Sequence, residues 1–254
     1  MELERNKFEE SKIEGRNAVL EAFRSGKTVD KLYVLDGCQD GPVRTIVREA
    51  RKHDTIINFV AKERLDQLSE IGKHQGVIAI SAAYEYAEVE DILKNAEKHN
   101  EPPFIILLDG IEDPHNLGAI IRTANLVGAH GIIIPKRRAV GLTPTVAKTS
   151  AGAINYTPVA KVTNLTQTMK MLKDKGMWFV CADMGGTQMY DLNLTGPIGL
   201  VIGNEGEGVS KLVRENCDMI ASIPMKGDID SLNASVATGV LAYEILRQRM
   251  AKGK

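Results

Sequence analysis

The sequence predicts an α/β protein made of two domains, and three observations support this. Short apolar segments of strand length alternate with segments of helical periodicity along most of the chain. In the second half these apolar segments are continuous, which is typical of parallel strands buried on both faces. Between the halves, residues 84–103 are acidic, hold few core-forming residues and end in Pro102-Pro103. We therefore predict domains at residues 1–83 and 104–254, joined by a linker with at most one helical turn.

The first domain is predicted to be a small α/β unit. Apolar residues with a helical spacing favour helices, and β-branched runs favour short strands. The predicted helices cover residues 16–23, 42–53 and 63–72, and the predicted strands cover residues 31–36, 55–60 and 76–81.

The second domain alternates strands and helices more regularly. The predicted strands cover residues 104–110, 131–135, 177–183, 198–203 and 219–224, and the predicted helices cover residues 116–129, 164–176, 209–217 and 234–252. This order predicts a doubly wound parallel sheet, in which ligands bind at the carboxyl ends of the strands.

Composition narrows the class of protein. The net charge of −1 gives no electrostatic sign of nucleic-acid binding, and the chain has no apolar run near the ~20 residues of a membrane span. The N-terminal MELERNKFEE is too charged for a signal peptide. The scattered cysteines, Cys38, Cys181 and Cys217, indicate a reducing compartment, and we expect a cytoplasmic protein. The histidines form no HxxxH pair, which argues against a metal held by the protein.

Three polar segments each follow a predicted strand and open a helix. In the first, Asp109 to Asn125, Asn116 stands where an N-cap is expected, and Arg122 follows two turns later among apolar residues. Their simplest interpretation is a capping asparagine and a surface arginine. The sequence alone leaves that interpretation open beside a catalytic one.

The second segment, Leu200 to Leu212, is a glycine-rich turn. Its three glycines, at 203, 206 and 208, allow a ligand to approach the backbone closely. The segment lacks both the P-loop and the dinucleotide fingerprint. Because the carboxylate of Glu205 would repel a phosphate, a nucleoside without phosphates, or a cation, suits this turn better. The alternative is a tight structural turn whose acidic residues cap the next helix.

The third segment, Gly227 to Glu244, leads into the last helix. Ser231 and Asn233 flank Leu232 at its start, where free backbone amides and a partial positive charge are available. Each polar side chain could also be a simple cap. The small residues in the helix predict close packing against the sheet or against a second copy; they are Ala234, Ala237 and Gly239.

These segments carry a family resemblance. NLGAIIRTAN, IGNEGEG and IPMKGDIDSLNASVATGVLAYE resemble the three ordered motifs of the SpoU (TrmH) class of RNA 2′-O-ribose methyltransferases, in the SPOUT superfamily. IEGRNAVLEAF resembles the start of the L30e-like substrate-binding domain found in the branch that methylates a guanosine of 23S ribosomal RNA. The resemblance covers nearly the whole chain.

The resemblance implies a fold, a cofactor and partners. The catalytic domain would contain a deep trefoil knot that binds S-adenosylmethionine, with the backbone near Gly203, Ile223 and Leu232 holding the cofactor. The partners would be RNA, expected to be 23S ribosomal RNA or its precursor, and a second copy of the chain held through the final helix. Neither a metal nor a membrane would be involved.

The resemblance also implies catalytic roles in methyl transfer to a ribose 2′-hydroxyl. Arg122 would contact a target phosphate and assist deprotonation, although arginine is normally protonated and positioning is its more natural role. Asn116 and Asn233 would fix Arg122 and the ribose, and Ser231 would orient the same network. Glu205 would anchor the network or contact the cofactor.

Three alternatives remain at this stage. The target could be a tRNA, because the tRNA enzymes share all three motifs. The chain could be an inactive RNA-binding factor of ribosome assembly. A nicotinamide-dependent oxidoreductase would rest only on the α/β pattern and the glycines, and fold analogy of that kind is weak.

Overall fold

A computed structural model describes residues 12–228 and 231–252, which fall into two compact units. One unit runs up to Glu85 and includes Gly141–Pro144, and the other comprises Tyr86–Val140 and the chain from Thr145 onward. The N-terminal MELERNKFEE segment lies outside the described residues. Both units combine helices with a β-sheet, so the predicted α/β class is confirmed.

The first unit is built on a four-stranded mixed sheet. Its elements are β1 (Lys12–Glu14), α1 (Arg16–Arg24), β2 (Val29–Leu35), α2 (Gly41–Lys52), β3 (Ile56–Val60), α3 (Lys62–Leu68) and β4 (Val77–Ser81). The strand order is β1-β4-β2-β3, with β2 and β3 parallel and β4 antiparallel to both β1 and β2. Apolar residues of α1 and α2, such as Val19 and Ile46, pack on the sheet in one buried cluster with Leu32. The short β1 was not predicted.

The second unit contains a six-stranded sheet whose strand pairs are all parallel. Its elements are α4 (Val89–His99), β5 (Phe104–Asp109), α5 (Pro114–Leu126), β6 (Gly131–Pro135), α6 (Pro144–Thr149), β7 (Val159–Val162), α7 (Leu165–Asp174), β8 (Trp178–Gln188), β9 (Ile198–Gly203), α8 (Lys211–Glu215), β10 (Met219–Ser222) and α9 (Ala234–Lys252). The strand order is β10-β8-β9-β5-β6-β7. The predicted parallel sheet is therefore confirmed, whereas β7 and α6 were missed.

The segment expected to hold at most one helical turn contains α4, which is 11 residues long. Its apolar residues Val89, Ile92 and Ala96 are buried, so this amphipathic helix belongs to the core of the second unit. The fit against β6 is close, because a Cβ atom at Gly131 would lie 2.6 Å from the Ile92 side chain.

The two central strands of this sheet place the polar segments at one edge. β5 and β9 pair in register from Phe104 with Ile198 to Asp109 with Gly203, so both strands end at the same level. The turn after β5 leads into α5, the turn after β9 is the glycine-rich segment, and α9 packs against α5. Among the helices of the described chain, none is long and apolar enough to cross a membrane.

Candidate active site

Hydrogen bonds join one side chain from each of the three polar segments. Asn116 Nδ2 donates to Glu205 Oε1 at 2.8 Å. Asn233 Nδ2 donates to Asn116 Oδ1 at 3.0 Å and also to Glu205 Oε1. Residues that lie 89 and 117 positions apart in sequence therefore form one polar cluster at the carboxyl edge of the sheet.

The Glu205 carboxylate also lies at the start of α9. The backbone N–H of Ala234, the first residue of that helix, donates to Glu205 Oε1 at 3.2 Å. A carboxylate at a helix N-terminus satisfies an orphan amide and interacts favourably with the helix dipole. The sequence also allows Glu205 to cap the helix that follows its own turn, but the helix that it caps is α9.

Asn116 is not the N-cap of α5. That position is held by Asp113, whose side chain accepts the N–H of His115, and Pro114 occupies the first turn. Asn116 instead lies inside the helix with 8% of its surface exposed. Because it is buried, its amide needs partners, and Glu205 and Asn233 supply them.

The glycine-rich turn is closed by its own backbone. Asn204 and Gly208 exchange two backbone hydrogen bonds, of 3.0 and 2.8 Å. A Cβ atom at Gly203 would lie 2.1 Å from the carbonyl carbon of Gly208, so only glycine fits there. Gly203 thus allows the turn to fold back on itself, which presents Glu205 to the cluster.

Two residues that the sequence analysis missed hold this turn in place. Asn204 donates to the carbonyl of Gly110 at 2.9 Å and accepts the N–H of Gly206 at 2.8 Å. Asp109, 6% exposed at the end of β5, accepts the N–H of Ser210 at 2.8 Å. An asparagine just before a glycine-rich turn is a signal for such side-chain bonds to the backbone.

A pocket of about 330 Å³ opens beside the cluster. Its lining includes all three residues predicted to hold the cofactor, Gly203, Ile223 and Leu232, as well as Glu205 and Ser231. The lining combines apolar side chains with backbone and carboxylate groups, which suits a nucleoside that carries no phosphate and has a positive charge.

A second carboxylate of the pocket, Asp183, follows the buried part of β8. Arg214 Nε donates to its Oδ2 at 2.5 Å, and the N–H of Met184 donates to its Oδ1 at 2.7 Å. The hydrogen bond to Asp183 raises the pKa of the Arg214 guanidinium. Both oxygens of Asp183 are therefore used to fix this wall of the pocket.

Two of the predicted catalytic side chains lie outside the hydrogen-bonded cluster. Ser231 is exposed and lines the pocket, while Arg122 is exposed on α5. Within the described chain, no hydrogen bond connects Arg122 to Asn116 or Asn233, whose amides bind Glu205 instead. The structure thus joins Asn116, Glu205 and Asn233 by hydrogen bonds and, among the described residues, gives Arg122 no hydrogen bond to them. The roles of all five residues stay predictions.

Two family models match the chain, one in each half. Residues 103–243 match the SpoU rRNA Methylase family. Residues 12–87 match the family described as RNA 2′-O ribose methyltransferase substrate binding.

Individual relatives agree with these models. The chain is 49% identical over 242 residues to YacO of Bacillus subtilis (strain 168), a protein assigned to the TrmH family of tRNA/rRNA methyltransferases, with 94% of this chain and 96% of YacO covered. It resembles the SpoU methyltransferase AviRb from Streptomyces viridochromogenes, solved with AdoMet, with a TM-score of 0.60, 27% identity, and coverage of 94% of this chain and 90% of AviRb. The TrmH/SpoU tRNA modifying enzyme of A. aeolicus gives a TM-score of 0.54 at 32% identity over 65% of this chain and 85% of that enzyme. The chain therefore belongs to the SpoU rRNA methylase family, whose RNA methyltransferases use S-adenosylmethionine.

Proposed function

We propose that this protein transfers a methyl group from S-adenosylmethionine to a ribose 2′-hydroxyl of RNA, with a guanosine of 23S ribosomal RNA as the target. The observation that carries the proposal is the cluster of Asn116, Glu205 and Asn233 beside a pocket suited to a cationic nucleoside. The match of residues 12–87 to a substrate-binding family of 2′-O-ribose methyltransferases supports the choice of the 2′-hydroxyl.

Gly203, Ile223 and Leu232 are the residues that would hold the cofactor. Ile223 and Leu232 offer apolar contacts, and the turn closed at Gly203 exposes backbone groups to the pocket. When bound, S-adenosylmethionine supplies an activated methyl group on a positively charged sulfur. Carboxylates at 183 and 205 favour that charge and disfavour phosphates, which fits this cofactor. The trefoil knot implied by the family resemblance stays a prediction.

The remaining predicted residues would position the RNA. A ribose hydroxyl is a weak nucleophile, so much of the rate must come from alignment. Ser231 lies in the pocket lining and can hydrogen-bond the ribose, while Asn116 and Asn233 hold Glu205 in place. The exposed guanidinium of Arg122 is suited to a phosphate, which it can bind through two N–H groups.

A homodimer through α9 is part of the proposal. Val236 and Tyr243 on this helix are 50% and 51% exposed, and a Cβ atom at Gly239 would meet nothing within 4 Å in the described chain. The small residue is therefore not required by packing inside one protomer, which leaves room for a second copy. We expect Tyr243→Asp to yield monomers in analytical ultracentrifugation, whereas the wild type sediments as a dimer.

The test of the reaction is methylation in vitro. Purified protein and labelled S-adenosylmethionine are incubated with unmodified transcripts of 23S ribosomal RNA and with unmodified tRNAs, and 2′-O-methyl positions are mapped by their resistance to alkaline cleavage. The proposal predicts label at one guanosine ribose of 23S RNA. Label in tRNA would instead identify tRNA as the substrate. RNA binding without any label would favour the inactive assembly factor.

We propose the cytoplasm as the location, in keeping with three free cysteines.

A further inference from the structure

We propose that Oε2 of Glu205 is the atom that accepts the proton of the attacking ribose 2′-hydroxyl. This inference rests on the proposed function, because it assigns a step within the same methyl transfer. It goes beyond an anchoring role for Glu205, since it places this carboxylate in contact with the reacting hydroxyl.

The distribution of hydrogen bonds on Glu205 carries the inference. The three donors that reach this carboxylate are Asn116 Nδ2, Asn233 Nδ2 and the N–H of Ala234, and all three bind Oε1. In residues 12–228 and 231–252, no donor binds Oε2. The carboxylate is thus fixed by one oxygen, and its other oxygen is an open acceptor on a residue that lines the pocket.

The other acceptors of the cluster are already occupied. Asn116 Oδ1 accepts from Asn233 at 3.0 Å. Asn233 Oδ1 accepts from the N–H and the hydroxyl of Ser235, at 2.9 and 2.5 Å, and from the N–H of Val236 at 3.3 Å. Amide oxygens are in any case poor proton acceptors compared with a carboxylate. Glu205 Oε2 is therefore the acceptor that this cluster leaves available.

Three other groups are poorer candidates, namely Arg122 and the two remaining carboxylates of the pocket lining, Asp183 and Glu207. Arg122 carries only N–H donors in its protonated form and has no acceptor atom. Asp183, the other carboxylate described above, has both oxygens bound, by Arg214 and by the N–H of Met184. Glu207 also lines the pocket, but within the described residues no hydrogen bond ties its carboxylate to Asn116 or Asn233, which hold Glu205 instead.

The proposed step balances without a further reactant. The 2′-oxygen forms a bond to the methyl carbon, and the carbon–sulfur bond breaks with its electron pair on sulfur, which becomes a neutral thioether. As the new bond forms, the hydroxyl becomes more acidic and its proton passes to Oε2. The neutral carboxylic acid then releases the proton to water, which regenerates the carboxylate.

Glu205→Gln is a close test, because glutamine keeps an oxygen for the three donors and replaces only the open acceptor with an NH₂ group. At saturating cofactor, we expect single-turnover methyl transfer with the mapped RNA to fall by about 10²–10⁴-fold. Affinity for S-adenosylhomocysteine, whose sulfur is neutral, should stay within about threefold of wild type in calorimetry. The residual rate should rise about tenfold per pH unit, since it then depends on ionisation of the hydroxyl in water. Glu112→Gln, in the exposed turn after β5, makes the same charge change and should react like wild type.

A binding measurement tests the contact without catalysis. With S-adenosylhomocysteine present, the target RNA fragment is compared with its 2′-O-methylated form. In wild type, Oε2 accepts from the hydroxyl but only repels the ether oxygen, so the unmethylated RNA should bind at least about fivefold more tightly. In Glu205→Gln the amide N–H can donate to the ether oxygen, so the preference should disappear or reverse.

Three results would overturn the inference. One is a Glu205→Gln rate within about threefold of wild type at saturating cofactor, and another is an unchanged preference between the two RNAs. The third is lost cofactor affinity with a normal maximal rate, which would make Glu205 a cofactor-binding group. If wild-type protein labels no RNA at all, the proposed function itself fails, and this outcome is distinct from all three.

Discussion

Two glutamates, one in each unit, are bound in contrasting ways. In the first unit, Glu14 uses both oxygens: Oε1 accepts from the backbone N–H of Glu70 at 2.6 Å and of Ile71 at 3.4 Å, and Oε2 accepts from the hydroxyl of Ser69. In the second unit, Glu205 gathers its three donors on Oε1 alone. The number of donors is the same, but of these two carboxylates only that of Glu205 has an oxygen that binds no donor among the residues the structure describes.

The contrast separates a structural carboxylate from a chemically available one. Burial raises the pKa of Glu14, but the hydrogen bonds from Ser69, Glu70 and Ile71 outweigh this effect and hold the pKa below its usual value. Glu14 thus fixes the chain after α3 through both of its oxygens. Glu205 is held as firmly by one oxygen, which leaves the other for substrate.

Arg122→Ala tests how much of the methyl-transfer rate depends on a charged group that belongs to neither the Glu14 nor the Glu205 hydrogen-bond network. We expect methyl transfer to fall about a thousandfold, because a positioned cation near developing charge contributes several kcal/mol to transition-state stability. Cofactor affinity should stay close to wild type, since Arg122 is exposed on α5 and does not line the pocket. Single-turnover rates and calorimetry measure the two effects. Full turnover by this variant would show that Arg122 takes no part in the reaction.

Asn233→Ala removes part of the hydrogen-bond network that holds Glu205. It removes the donor to Glu205 and Asn116 together with the acceptor that caps α9, so we expect transfer to fall by tens of fold and stability to fall by about 1 kcal/mol. Asn233→Ser is the matched control, because serine can cap the helix but lacks the amide donor. It should recover stability, measured by urea unfolding, without recovering the rate. Equal recovery of stability and rate in this control would show that Asn233 acts only as the cap of α9.

Local patterns predicted the sheet of the second unit well, because its strands are buried on both faces and read as continuous apolar runs. They failed for α4, where acidic residues on the exposed face obscured the spacing of Val89, Ile92 and Ala96. The start of α4 does hold a capping box, in which Asp91 accepts the N–H of Glu88, but glutamate is not a preferred N-cap residue and so gave no start signal in the sequence.

The family resemblance predicted both the positions of the candidate site and that they share one network, but it did not predict which atoms are paired. The motifs located Asn116, Glu205 and Asn233, yet Asn116 was placed at a helix cap when Asp113-Pro114 is the better start signal. Its actual partners lie 89 and 117 residues away in sequence, and no local rule encodes such contacts. Likewise, the distribution of donors between the two oxygens of Glu205 follows from how the turns meet in space.

Glu14→Ala tests the structural role of Glu14, the first of the two glutamates compared above. Removing this carboxylate leaves the hydroxyl of Ser69 and the amides of Glu70 and Ile71 without their acceptor, so we expect a loss of about 1–2 kcal/mol in the stability of the first unit. Cofactor affinity should be unchanged, because the pocket lies wholly in the second unit. Calorimetric unfolding with and without S-adenosylhomocysteine assigns the transitions, since only the second unit should be stabilised. A loss of cofactor binding would contradict the division of roles.

The smallest expected effect is a pH dependence of the second unit, set by a buried histidine. His130 is 3% exposed, its Nδ1 accepts the N–H of Phe104 at 2.9 Å, and burial lowers its pKa. The folded state therefore binds fewer protons than the unfolded state once the pH falls below about 6.5, so stability decreases from there down to the folded pKa, by at most about 1.4 kcal/mol per pH unit.

Urea unfolding followed by Trp178 fluorescence measures this slope, because Trp178 is the only tryptophan and lies in β8 of the second unit. His130→Gln keeps an oxygen that can accept the Phe104 amide but cannot titrate, so its slope between pH 7 and 5 should be smaller than that of wild type. Equal slopes would assign the pH dependence to other groups. Glu14 acts in the same direction but over a lower range, since its lowered pKa makes the first unit lose stability only as the pH falls below the ordinary glutamate pKa, near 4.3.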